Sequence, residues 1–251
     1  MRSSKLVAAV VAVLLFGTLF AGSAGAVGSS PQDLPEESEV GTDFEATFEV
    51  TELFDEFEQW TLVSETELDD STWTIRQYNQ AGSEISRQDV DGQTALDSID
   101  IDDGTATVEV RVTGTTPELG NLSYDPPDRF TVANFTLERN GGTERSIGQH
   151  ESHHYTEESR EARAAIDRAS DAVGDSGGDA RSSLDSAISA YENGNFENAV
   201  TLADRAENEA TQSQLIRNAL LALGAAIVLV ALIGGGYWVY KSRQQGPSRL
   251  K

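Results

Sequence analysis

The sequence predicts a mainly β protein with an added α portion. An immunoglobulin-like antiparallel β-sandwich is followed by a stalk of two or three helices and one C-terminal transmembrane helix. Three observations predict it. From about residue 39 to residue 149 apolar residues alternate with polar ones, as half-buried strands require. Past His150 the apolar period becomes helical. Charge is partitioned as well: every Asp and Glu lies between Asp33 and Glu209, and an uncharged apolar run follows.

Residues 1–26 read as a signal peptide. Arg2 and Lys5 make a positive start, apolar residues fill the stretch from Leu6 to Phe20, and Ala24-Gly25-Ala26 offers a cleavage site of small residues. Residues 27–38 are Gly, Ser, Pro and acid, the composition of a flexible leader. The sandwich spans 39–149. Phe44, Ala46, Phe48 and Val50 alternate with polar residues, as do Trp73 and Ile75, then Ile99 and Ile101. Ala106, Val108, Val110 and Val112 make the strongest strand. Phe130 and Val132 continue the pattern, and Phe135 and Leu137 shift it by one, as a bulge allows. Turn signals fall between these runs, at 79–82, Asp91-Gly92, Asp102-Asp103-Gly104 and Asp125-Pro126-Pro127-Asp128. About seven strands in about 110 residues suggest the immunoglobulin-like layout.

The stalk spans 150–214. Ala162, Ala165, Ile166, Ala169, Ala172 and Val173 mark one face of a first helix from about Thr156, broken at 174–178. Ala180, Leu184, Ala187, Ile188 and Tyr191 mark a second; Phe196, Ala199, Val200, Ala203, Ala206 and Ala210 mark a third. Residues 187–206 look like one tetratricopeptide unit, with Gly194, Phe196, Ala199, Ala203 and Ala206 at that repeat's second-half spacing. A single unit makes no solenoid, so a plain helical hairpin is the simpler reading. Residues 215–240 are the transmembrane segment, uncharged from Ala219 on and closed by Tyr237, Trp238 and Tyr240. The tail, 241–251, carries Lys241, Arg243, Arg249 and Lys251, which the positive-inside rule places in the cytoplasm.

Between the ends, 42 acids face 12 arginines, a net charge of −30, and there is no lysine between Lys5 and Lys241. That balance repels phosphates and excludes nucleic acid as a partner. It also strains a compact fold at low ionic strength, a penalty that concentrated salt screens. Cysteine is absent, so the core must hold the exported part without disulfides. In its abundant Asp/Glu and its lysine-free exterior the chain resembles proteins of halophilic archaea. Its layout is similar to that of secreted, C-terminally membrane-anchored surface proteins of those organisms. The words Gly114-Thr115-Thr116-Pro117, His153-His154-Tyr155-Thr156 and Ala190-Tyr191-Glu192-Asn193-Gly194-Asn195-Phe196 carry the same likeness.

Candidate chemistry is sparse. His150-Glu151-Ser152-His153-His154 matches H-E-x-x-H and holds every histidine of the chain. On a helix that spacing sets two imidazoles on one face to bind zinc, with the glutamate as base. The flanking glycines and the absence of an apolar stripe predict instead a polar junction before the first helix, with Thr156 as its N-cap. His150, His153 and His154 stay as weak metal candidates. Asp89, Asp91, Asp97, Asp100, Asp102 and Asp103 form an acidic stretch without the spacing of a calcium loop, which reads as a solvated hairpin edge. Asn121-Leu122-Ser123 and Asn134-Phe135-Thr136 are glycosylation sequons, Asn134 within a strand. No phosphate loop or dinucleotide fingerprint is present, and no cofactor is expected.

The expectation is a non-enzymatic cell-surface glycoprotein, anchored by one span with its acidic part outside. It would serve adhesion, envelope structure or the binding of a protein partner. The alternatives are an accessory subunit of a membrane complex and a metal-dependent hydrolase centred on His150 and His154.

Overall fold

The structure is a computed structural model and describes residues 26–139, 142–174 and 178–244. The expected signal peptide through residue 25, residues 175–177 of the expected helix break and residues 245–251 of the basic tail lie outside the described residues. The chain forms two units. The β unit comprises the chain up to Leu119 together with Arg129–Tyr155; the helical unit comprises Gly120–Asp128 and the chain from Thr156 on.

Among the described residues the β unit has ten strands: β1 (Gly28–Asp33), β2 (Glu37–Glu39), β3 (Asp43–Thr51), β4 (Gln59–Glu65), β5 (Asp69–Asn79), β6 (Glu84–Asp91), β7 (Thr94–Asp100), β8 (Thr105–Thr115), β9 (Arg129–Arg139) and β10 (Thr143–Tyr155). They make two five-stranded sheets, β1-β3-β8-β5-β6 and β2-β10-β9-β4-β7. Their pairings are antiparallel except β2 with β10, which is parallel.

Period-two patterning explains the core. Ala46, Phe48 and Val50 of β3 point inward with Val108, Val110 and Val112 of β8, and meet Leu62, Val132 and Phe135 of the other sheet in one cluster. Phe44 meets Phe130 edge-on at 5.4 Å, and Phe48 meets Phe135 at 5.3 Å. Two buried indoles each find an acceptor, as a desolvated N–H must: Trp60 donates to the Leu53 carbonyl (2.9 Å) and Trp73 to that of Gly92 (3.0 Å). The expected shift in β9 is present. Val132 and Ala133 are both buried, and the β9–β10 register slips between His150 and Glu151.

Two expectations need correction. Residues 27–38 are not a free leader. β1 pairs with β3 and β2 with β10, because backbone pairing to an open sheet edge compensates for a sequence poor in strand formers. Ile99 and Ile101 do not share a strand face. Ile99 is buried on β7, whereas Ile101 begins a short 3₁₀ turn (Ile101–Asp103) and is exposed. The Asp100 side chain accepts from the Asp102 N–H and ends the strand there.

The helical unit has α1 (Glu157–Val173), α2 (Asp179–Glu192) and α3 (Phe196–Gln244). Thr156 caps α1 through a reciprocal pair with Ser159, as its position before the apolar stripe predicts. Arg168–Asp204 and Ala172–Gln214 contacts run α1 in the same sense as α3; Ser183–Glu209 and Tyr191–Phe196 contacts run α2 in the opposite sense. The shared interface is built from small side chains, including Ala162, Ala169, Ala187, Ala199, Ala203 and Ala206, all buried. The 120–128 loop joins this unit. Tyr124 donates to Asp167 (2.6 Å), stands edge-on to Tyr191 (6.2 Å) and lies under the Arg163 guanidinium (4.9 Å). Burial, reinforced by the bond to Asp167, pushes the Tyr124 phenol up to about 12.

No break separates the expected stalk from the expected membrane segment. α3 runs unbroken for 49 residues, about 73 Å at about 1.5 Å per residue. Ala210 is its last buried residue among those described; from Thr211 to Gly235 every residue is exposed.

Candidate functional site

The histidine segment is a strand, not a helix, and it ends where the β unit gives way to the Thr156-capped α1, as the junction reading expects. Its alternation sends His150, Ser152 and His154 toward the core side of β10 and Glu151, His153 and Tyr155 to the other side. The inward positions are polar because each one holds a different stretch of chain. His150 Nε2 lies 2.8 Å from the Ser29 hydroxyl of β1. Ser152 donates to the Pro35 carbonyl between β1 and β2 (2.8 Å). His154 Nδ1 lies 3.1 Å from the Pro117 carbonyl beyond β8. His150 is also stacked on Phe48 at 4.7 Å, and Phe130 lies 5.3 Å from His154. Burial holds the His150 imidazole below the ordinary histidine value.

This geometry does not form the zinc site that the spacing suggests for a helix. His150 and His154 stand about 13 Å apart along the strand and bond to different stretches of chain, Ser29 and Pro117, so they are not directed at one ion. Among the described residues no group of three His, Cys, Asp or Glu side chains is placed to hold a metal. The Ser29–His150 pair has the separation of a nucleophile and its base, yet His150 packs against Phe48 and Phe135 in the core cluster rather than in a cleft.

The acidic stretch is dispersed. Asp89 accepts from Thr74 and Arg87, Asp91 from Thr72, and Asp100 from Gln59. Asp89 and Asp91 lie on β6, whereas Asp97 and Asp100 lie on β7 in the other sheet. β6 is exposed at every position but Val90, and its charges guard a sheet edge. Asp97 is the exception, since it is buried. Gln77 donates to it (2.8 Å) and accepts from Thr105 (2.7 Å), which links the two sheets through polar groups. Burial raises the Asp97 carboxyl above the ordinary range.

The sequons differ in access. Asn121 is exposed in the 120–128 loop. Asn134 lies inside β9, between β4 and β10, and its amide donates to Glu65 (3.1 Å).

One feature is missed by the sequence reading. An open groove of about 910 Å³ lies where three connections of the β unit converge: 51–55 after β3, 79–81 after β5, and 101–107 at the start of β8. The apolar pair Leu53-Phe54 in a connection rich in acid is the signal that marks it.

α3 holds the candidate span. The helix is long and apolar enough to cross a membrane, with a mean hydropathy of 2.3 in its most apolar window and none of that window buried. Gln214 still donates to the Ala172 carbonyl at the end of α1 (3.1 Å). The uncharged run starts at Ala219, about 7.5 Å further along the helix.

No protein-family model and no characterised relative matches the sequence. Three solved structures show partial likeness. Spo0M, a sporulation control protein from Bacillus subtilis, is 13% identical with a TM-score of 0.28, over 57% of this chain and 55% of its own. A lipoprotein from Bacteroides thetaiotaomicron is 10% identical with a TM-score of 0.28, over 52% and 82%. The CARDB domain of the PF1109 protein from Pyrococcus furiosus is 11% identical with a TM-score of 0.20, over 52% and 86%. The chain thus spans about half the length of Spo0M, and TM-scores this low support neither a fold name nor an activity.

Proposed function

We propose that this is a non-enzymatic cell-surface protein, anchored by α3, that presents an immunoglobulin-like β domain outside the cell for adhesion, envelope structure or the binding of a protein partner. The observation that carries the reading is α3 itself. One unbroken helix is packed into the helical unit through Ala210 and is long, apolar and unburied beyond it. The acids all precede the span and the basic tail follows it, which supports an outside β unit and a cytoplasmic C-terminus.

Strand order supports the immunoglobulin-like reading. Taken in chain order as A to G, β1, β3, β4, β5, β8, β9 and β10 give A-B-E-D in one sheet and C-F-G in the other. β6 and β7 are then two added edge strands, one on each sheet, and β2 is a second segment of strand A beside strand G. Trp60 is buried on the strand in the C position, and the Phe48–Phe135 pair joins the B and F positions, where antibody domains carry a disulfide.

The excess of acid and the lysine-free exterior support a protein that works in concentrated salt. Protease added to intact cells should remove the β unit and leave the tail protected. A digested tail beside an intact β unit would overturn the reading.

A further inference from the structure

We propose that the groove at the end of the β unit binds a neutral oligosaccharide. The proposal rests on the reading of a β unit displayed outside the cell and names what it would engage there.

The groove is built rather than accidental. Its first wall, residues 51–55, is fixed from below. Leu53 is buried, and its carbonyl accepts from the Trp60 indole at 2.9 Å. Glu52 is held at φ +58°, a left-handed conformation that costs a side-chain-bearing residue about 1 kcal/mol or more and that recurs at ligand clamps. The second wall is also rigid. Asn79 Oδ1 accepts from the N–H groups of Ala81 and Ser83, both at 3.0 Å, and closes the 79–82 turn. The third wall turns on the capped Ile101–Asp103 helix and Gly104 at φ +74°. A volume of about 910 Å³ suits a ligand of several sugar rings, near the upper end of ordinary ligand sites.

Chemistry selects the class. Acids are spread along the chain from Asp33 to Glu209, so Glu52 and Asp55 do not distinguish the groove from the rest of the β unit's surface. Apolar groups do. Outside α3 the large exposed hydrophobics among the described residues are Ile85, Leu96 and Ile101, and Ile101 is a wall of this groove, together with half-buried Phe54. Around them stand the amide of Gln80 and the hydroxyls of Thr51 and Thr107. A sugar ring offers the matching surface: an apolar C–H face for Phe54 and Ile101, and hydroxyls for amide, hydroxyl and carboxylate partners. Among the described residues no lining side chain is cationic, which disfavours anionic glycans. Salt weakens recognition by charge far more than recognition by stacking and hydrogen bonds.

The test uses the full chain, purified in detergent at high salt, on an array of neutral hexose oligosaccharides, with acidic glycans and basic peptides as comparison probes. Exposed Ile101 and Gln80 allow the substitutions Ile101→Asp and Gln80→Ala without disturbing the core. Saturable binding to a neutral oligosaccharide, weakened at least tenfold by each substitution at unchanged melting temperature, is the expected result. Absence of binding to every neutral probe, binding that ignores both substitutions, or binding confined to basic peptides would each overturn it. Because binding is read on purified protein, its failure leaves the topology untouched, and a failed topology experiment leaves the groove untouched.

Discussion

The Ser29 hydroxyl sits 2.8 Å from Nε2 of His150 and directly over Gly148, where an added Cβ would come within 2.2 Å of the same oxygen. One side chain of β1 thus fixes two positions of β10, and a segment composed like a linker is held as a strand. Gly148→Ala should destabilise the β unit by about 1–3 kcal/mol, the usual cost of overpacking. In a Ser29→Ala background the penalty should shrink, because the clashing oxygen is gone. Denaturant midpoints of the four-member cycle measure the coupling. An equal penalty in both backgrounds would show that Ser29 is not what Gly148 accommodates.

The same histidine makes stability depend on pH. Burial lowers the folded-state value of His150 below the ordinary 6.5, so the unfolded chain binds the proton more readily. This group therefore leaves stability unchanged well above pH 6.5 and erodes it as pH falls through that value. His150→Gln removes the titration, and between pH 7.5 and pH 5 the variant should lose less melting temperature than the parent. Parallel losses would mean that His150 does not titrate against the fold.

Asp97 has the opposite sign. Its folded-state value is raised by burial, so the folded chain keeps a proton that the unfolded chain releases, and ionisation at neutral pH works against folding. Asn in its place still accepts from Gln77. Asp97→Asn should raise the melting temperature at pH 7 in high salt, with a smaller gain below the ordinary aspartate value of 3.8. A lower midpoint at pH 7 would show that the charge is favourable where it lies.

Glycosylation should follow exposure. Asn121 is open to a transferase acting on folded protein, whereas Asn134 is flanked by β4 and β10. Intact mass of protein from native membranes should show a glycan that Asn121→Gln removes and Asn134→Gln leaves. A glycan that survives Asn121→Gln would reverse the assignment.

Much of the fold is legible in the sequence because burial imposes a period on it. The Phe44–Val50 and Val108–Val112 alternations, the shift before Phe135, the Thr156 cap and the three alanine faces all follow from that rule. Where side chains do work other than burial, the rule fails. β1 is Gly-Ser-Ser-Pro-Gln-Asp and carries no period; pairing with β3 and the Ser29–His150 bond order it. β10 turns His, Ser and His to its inner face, so its alternation is invisible to a hydrophobic pattern, and H-E-x-x-H suggests chemistry that this strand does not assemble. The groove is assembled from three connections remote in sequence, and no local pattern encodes such convergence.

The central claim is that α3 crosses the membrane with the acidic chain outside. Because the protein has no cysteine, single substitutions report side directly. Ser83→Cys lies on the exposed β5–β6 turn, and Ser248→Cys lies in the basic tail. A membrane-impermeant maleimide applied to intact cells should label Ser83→Cys and label Ser248→Cys only after the cells are opened. Labelling of Ser248→Cys on intact cells, with Ser83→Cys protected until lysis, would contradict the account.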